Sequence, residues 1–289
     1  MSPNLTGALL MMGSMTAFTV NDAIVKFIGA DMPLMQILTL RGAVSSGLML
    51  WLAWMTGTLS LAFSRSDWWL IGLRSLCEAA AAYFFLTALL HMPMANVSAV
   101  LQMLPLTVTA GAAIFYREAV GWRRMLAIGL GFLGMLLIVR PGPEGFSVYS
   151  LYAVAAVACV TLRDLVVRRI SPHVSSMSVS LVGAIAVCVF SGVASVGTDW
   201  VPVTGRLWGM ITASSMLVMA GYLLSVMVMR VGEVSFIAPF RYTSLLVALI
   251  LGYVVFGDWP TPLTLLGAAI VVGSGLFTLY REKTLREGS

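Results

Sequence analysis

I-A-P-F-R-Y-T-S-L-L-V-A-L-I-L-G-Y-V-V-F-G-D, residues Ile237–Asp258, is the stretch whose reading decides the fold. It is long enough to cross a bilayer core, which takes roughly 20 apolar residues at about 1.5 Å of rise each. Yet Arg241 sits inside it, just after Pro239. A guanidinium at membrane depth costs about 2.5–3.5 kcal/mol on insertion scales, so it persists only where it faces a bundle interior, a partner or a watery cavity. The stretch has a relative earlier in the chain. Val97–Glu118 ends F-Y-R-E where the later stretch ends V-F-G-D, so Glu118 and Asp258 stand 140 residues apart. One half of the chain repeats the other.

Composition agrees with membrane insertion. The 289 residues are 60% hydrophobic and 10% charged, with a mean hydropathy of +0.96. A water-soluble domain carries roughly a quarter charged residues and could not hide this much apolar surface. The net charge of +5 is no nucleic-acid footprint, because the basic residues fall in short loops and form no groove-sized patch. Cys77, Cys159 and Cys188 lie in apolar runs without metal-ligand spacing and read as small buried hydrophobes. Neither a metal nor a cofactor is expected. The run G-L-G-F-L-G at 129–134 lies within an apolar span and follows no strand, so it reads as a helix-packing face and not a nucleotide loop.

Apolar runs predict ten spans, at 5–29, 34–57, 67–90, 93–116, 122–139, 147–168, 174–196, 206–229, 233–256 and 261–280. The first has no basic leader and carries Asp22 and Lys26, so it reads as a retained helix and not a signal peptide. With the N-terminus in the cytoplasm, the inner segments hold Arg65, Arg117, Arg123, Arg124, Arg168, Arg169, Arg230, Arg281, Lys283 and Arg286. The outer ones hold Lys26, Arg140 and Arg206. That asymmetry places both termini in the cytoplasm of a multi-pass cell-membrane protein. Trp68, Trp69, Trp122, Trp200, Trp208 and Trp259 cluster at span ends, as an interfacial aromatic belt requires.

The repeat recurs along the chain. N-D-A-I-V-K (Asn21–Lys26) in the first span answers R-D-L-V-V-R (Arg163–Arg168) in the sixth, and A-Y-F-F (Ala82–Phe85) answers G-Y-L-L (Gly221–Leu224). Similarly, A-I-G at 127–129 answers L-L-G at 265–267. Each copy holds five spans, residues 1–143 and 144–289. An odd number sends the second copy in from the opposite side, so the halves are inverted across the membrane plane. The expected architecture is all-α, ten transmembrane helices as two inverted five-helix repeats around a central cavity. Inverted repeats serve secondary transporters, which alternate access around a midplane site.

With these features in hand, the chain resembles the drug/metabolite transporter superfamily, EamA branch. The resemblance rests on the two five-helix repeats, on small-residue-rich spans, and on the carboxylates closing spans 4 and 9 (F-Y-R-E-A at 115–119, V-F-G-D-W at 255–259). The family's proline thirteen residues before the carboxylate is present as Pro105 but is Leu245 in the second copy, where Pro239 lies earlier. That difference is expected to bend the ninth span at a different depth. The resemblance implies transport of small organic solutes, commonly amino acids and other metabolites moved outward. Some relatives carry vitamins such as riboflavin, or nucleotide-linked compounds.

The candidate site is drawn from intramembrane ionisable groups. Arg74 and Glu78 stand one turn apart on span 3, spaced to pair on one face. Asp22 and Lys26 have the same spacing on span 1, and Asp164 takes the inverted place beside Arg163 and Arg168. Arg41 and Arg241 lie about 12 Å into their spans, with no carboxylate in reach on their own helices. Ser98, Gln102, Tyr83, Tyr222 and Tyr242 are candidates for orienting hydrogen bonds. A static ion pair or a helix–helix bond is the bland alternative for each. No H-E-x-x-H, G-x-S-x-G or ATP-binding motif is present, so no enzyme or pump is expected. The reading that emerges is a secondary carrier exporting an amino acid or related carboxylate-bearing solute, working as a monomer or homodimer in the lipid bilayer. Uptake of a riboflavin-like or nucleotide-linked solute is the alternative within the fold, and a channel or assembly protein the alternative outside it.

Overall fold

The computed structural model describes residues 3–59, 63–117, 121–139, 147–171, 174–228 and 237–287. Five elements make the first four spans: α1 (Pro3–Ile28), α2 (Leu34–Met55), α3 (Arg65–His91), and α4 (Met94–Leu101) continued by α5 (Leu104–Tyr116). α6 (Trp122–Val139), α7 (Val148–Val167), α8 (Ser176–Ala194) and α9 (Gly205–Val228) follow. A 3₁₀ turn (Ala238–Tyr242) then runs into α10 (Thr243–Phe256), and α11 is Pro262–Glu287. Eight of these spans are long and apolar enough to cross a bilayer, and α6 and α11 supply the two shorter apolar helices. The ten predicted spans are all present.

Local chemistry sets the boundaries. Pro33 and Pro93, at φ −58° and −53°, stand immediately before α2 and α4, where a fixed φ and a missing N–H cost nothing. Ser64 caps α3, its hydroxyl oxygen accepting the Asp67 N–H at 3.1 Å. Span 4 breaks at Gln102–Met103, just before Pro105, whose ring cannot continue the hydrogen-bond ladder. Span 9 breaks at the matching level. Pro239 starts its irregular stretch earlier, but the 3₁₀ turn runs out at Tyr242–Thr243, the repeat mates of Gln102–Met103. The expected difference in bend depth is therefore corrected to a longer break ending at the same place. The two broken helices then end alike, in left-handed caps at Arg117 (φ 52°) and Gly257 (φ 69°), each just before the repeat's carboxylate position.

Packing between the halves repeats the same symmetry. Pairing α1 with α7, α2 with α8, α3 with α9, spans 4 with 9, and α6 with α11 maps each major contact onto another. α3 packs on α7 as α9 packs on α1, and α3 against α8 mirrors α9 against α2. α2·α8 and α6·α11 are their own mates and lie across the pseudo-twofold axis. Small residues make these crossings close. A Cβ on Gly134 would lie 2.8 Å from the Gly267 carbonyl oxygen, and one on Gly267 2.6 Å from that of Gly134. On α2·α8, a Cβ on Gly42 would stand 2.9 Å from that of Cys188. The glycine run at 129–134 thus acts as a packing face through Gly131, against Leu106, and Gly134. α4 is the most enclosed element, with Met94, Val97 and Val100 fully buried between the halves.

Candidate functional site

A cavity of about 790 Å³ opens between the repeats. Its walls are helical stripes one turn apart: Met11, Met15 and Phe18 on α1, Arg41, Ser45 and Met49 on α2, and Arg74, Glu78 and Ala82 on α3. Arg163 and Asp164 of α7, Val179 and Ser180 of α8, Tyr222 of α9, and Arg241 of the 3₁₀ turn complete it. Ile170, Ser171 and Val174 of the α7–α8 connection also line it, so the cavity lies at the bundle end that carries the start of α1. A second hollow of about 700 Å³, on the outer face of α6 around Trp122, Met125 and Leu133, has no ionisable group in its lining.

Charge inside the cavity is unevenly matched. Arg74 donates to Glu78 at 3.3 Å, and Arg163 donates to both Glu78 oxygens at 3.2 Å. Arg163 also bonds the Asp164 carboxylate through Nε at 2.9 Å and Nη2 at 2.8 Å. The result is a chain of alternating sign, Arg74–Glu78–Arg163–Asp164, along the α3·α7 wall. Gly183 of α8 leaves room for it, since a Cβ there would lie 2.6 Å from Arg74 Nη1. Arg41 and Arg241 differ. Neither guanidinium makes an ion pair or hydrogen bond among the described residues, and Nη1 of Arg41 is buried without an acceptor. A buried donor left unsatisfied costs about 1–3 kcal/mol, more when charged.

Of the candidates read from sequence, Arg41, Arg74, Glu78, Asp164, Tyr222 and Arg241 face the cavity together. Tyr222 accepts from the Ser180 hydroxyl at 2.8 Å. Gln102 instead donates to Ser244 at 2.8 Å, tying the two broken helices together. Ser98 lies on α4 outside the lining, and Tyr83 meets Tyr152 edge to face and Phe84 at a tilt on the α3·α7 flank. Tyr242 is buried with its hydroxyl against Gly275 of α11. Asp22 sits one turn beyond Phe18 on the α1 stripe, past the cavity lining. Its carboxylate accepts from the Asn21 amide at 2.9 Å, and Asn21 accepts from the Ser214 hydroxyl at 2.6 Å.

The expected Asp22–Lys26 pair is corrected. Lys26 instead reaches the second half, with Asp258 at 3.8 Å and the Phe256 ring at 5.2 Å, and donates to the Met92 carbonyl at the end of α3 in its own half. Glu118, the repeat mate of Asp258, lies outside the described residues. At the same end of the bundle the Gln36 side chain holds Val201 in two directions, donating to its carbonyl at 2.7 Å and accepting from its N–H at 3.0 Å. These bonds close the end opposite the cavity. Arg163, which the sequence places beside Asp164 among the buried cations, is the member that joins the two carboxylates. Ser45 and Ser180 line the cavity beyond the residues the sequence singles out, although Ser45 falls one turn from Arg41, a spacing that points to it.

Comparison with known proteins gives this geometry a family. The profile of the EamA-like transporter family matches twice, over residues 5–140 and 148–280. The chain is 26% identical to the S-adenosylmethionine uptake transporter of Rickettsia conorii over 96% of its own length and 94% of that protein's. It is 27% identical to the riboflavin transporter of Vibrio cholerae, with 98% and 96% covered. With the pseudopaline exporter CntI of Pseudomonas aeruginosa it shares 26%, with 92% and 93% covered. One solved structure superposes with a TM-score of 0.67 at 18% identity, over 96% of this chain and 97% of that one, a likeness of fold. The doubled match, one for each five-span half, identifies the chain as a multi-pass membrane protein of the EamA-like transporter family.

Proposed function

We propose that the protein is a secondary transporter that moves a small organic, carboxylate-bearing solute across the cytoplasmic membrane by alternating access, working outward. One observation carries this reading: an arginine-rich cavity lies between the two halves, at the end of the bundle opposite a cross-repeat seal. In this reading residues 1–143 and 144–289 are the inverted halves, and both termini face the cytoplasm. The structure then corresponds to an inward-open state. Arg241 and Arg41 contact the solute, Tyr222 orients it, and Arg74, Glu78 and Asp164 form a charged wall whose pairs rearrange as the halves rock. Asp22, Gln102, Ser98, Tyr83 and Tyr242 support that wall or the helix breaks without touching solute. The carrier acts in the bilayer as a monomer or homodimer, with no nucleic-acid partner. Uptake of a vitamin-like or nucleotide-linked solute is the second reading, favoured by the names of the Rickettsia and Vibrio relatives. Alternating access is reversible, and the gradient sets the direction.

Saturable exchange and counterflow in proteoliposomes separate this carrier from a channel. Arg241→Ala is expected to lower transport about tenfold or more while membrane expression holds, in line with loss of a charge-assisted contact. Wild-type rates in that variant would remove Arg241 from the site.

A further inference from the structure

The cavity's four guanidiniums fall into two classes. Arg74 and Arg163 are tied to Glu78 and Asp164 on one wall. Arg41 and Arg241, on α2 and the 3₁₀ turn, have no acceptor among the described residues. Asp22 supplies Arg41 with a counter-charge, but from beyond ion-pair distance and without a hydrogen bond. Each guanidinium presents a planar fork that matches an oxyanion bidentately, a geometry that neutral hydroxyls or amines do not satisfy. Their levels differ as well. Arg41 lies seven residues from the start of α2, at the sealed end, and Arg241 fifteen residues before the end of α10, near the open end. At about 1.5 Å of rise per residue the two Cα levels are about 12 Å apart along the bundle.

We propose that the transported solute is an organic dianion that bridges the cavity lengthwise, one oxyanion group on Arg41 at the sealed end and a second on Arg241 at the open end. The paired α3·α7 wall then faces the middle of the solute, and Met11, Met15 and Phe18 cover its carbon skeleton. A monoanion leaves one fork empty, and a cation meets two. The assignment rests on the carrier reading above and deepens it.

The test uses purified full-length protein and one carbon skeleton in three charge states: heptanedioate, its monoamide and its diamide, at matched ionic strength. Binding is followed by thermal shift. The dianion is expected to bind about tenfold more tightly than the monoamide, and the monoamide about tenfold more tightly than the diamide, as for loss of one charge-assisted contact each. Arg41→Gln and Arg241→Gln should each erase the first of these steps, and Arg41→Lys should restore part of it. Arg41→Met combined with Asp22→Asn, so that no carboxylate is left without its counter-charge, is expected to melt no lower than wild type without ligand, because it removes an unsatisfied buried charge. That result shows that loss of binding is not loss of fold. Equal binding of dianion and diamide, no binding of any probe, or a charge ranking that survives both Gln variants would overturn the proposal. Proteoliposomes loaded with an isotope-labelled metabolite extract report on the carrier itself. Saturable exchange without dianion preference sinks only the solute class, whereas absence of exchange takes the carrier reading with it.

Discussion

Asp22 and Asp164 occupy matching places in the two halves, in N-D-A-I-V-K and R-D-L-V-V-R, yet they live in different surroundings. Asp164 faces the open cavity and is bonded twice by Arg163. Asp22 lies past the cavity lining, held by the Asn21 amide, one turn below the seal made by Lys26 and Asp258. Two segments related by duplication need not share an environment when the halves around them are tilted differently. A symmetric pair of repeats in an asymmetric arrangement is what one end open and one end sealed requires. Under the proposed alternating access the two aspartates would exchange places, and the comparison is open to direct attack.

The largest effect should come from freezing the seal. A reducible thiol-reactive cross-linker joining Lys26→Cys and Asp258→Cys, which replaces the reach of the lysine side chain that a direct disulfide lacks, is expected to abolish exchange, with recovery on reduction; unimpaired transport by the cross-linked protein would show that this end need not open. Next comes accessibility. Asp164→Cys should react with a charged thiol reagent about tenfold faster than Asp22→Cys when the reagent is added from the open end, since reaction requires solvent access to a thiolate. Equal rates would remove the asymmetry itself.

Glu78→Ala leaves Arg74 and Arg163 without their shared partner. Breaking a dry ion pair costs about 3–5 kcal/mol, but the Glu78 side chain is 30% exposed, so about 1–2 kcal/mol of stability is expected to go, with a several-fold loss of transport. Thermal melting and flux measure the two separately. Smallest of all, Arg117→Gly makes the first repeat's left-handed cap like the second's Gly257. It should leave transport unchanged and leave stability equal or higher by about 1 kcal/mol, the strain of a side chain in that conformation. A clear drop in melting temperature would mean that the Arg117 side chain matters more than its backbone.

Much of this is legible in the sequence. The ten spans, the paired proline-linked breaks near Pro105 and Pro239, and the Arg74–Glu78 pair at one-turn spacing all follow from patterns within a few turns of chain. The Asp22–Lys26 pair failed for an instructive reason. The same one-turn spacing permits that pair, but a carboxylate and an aromatic ring of the second half, with a carbonyl at the end of α3, outcompete Asp22 for Lys26. Helical spacing shows which pairs are allowed, and competition from neighbouring helices selects among them.

The sequence by itself determined that the chain lives in a bilayer, that it is built twice over in opposite senses, and that several arginines must be hidden from lipid. Hydropathy, helical period and duplication are local or linear properties, and the cost of bare charge in hydrocarbon does the rest. Only the tertiary structure decided which arginines are matched and which are not. Glu78 meets Arg163 across 85 residues of chain, and Arg41 meets no acceptor because of how α2 is rotated against α8 and α9. Rotation of a helix about its own axis is set by close packing at glycines such as Gly42, where the α8 backbone comes near, and no single segment encodes it.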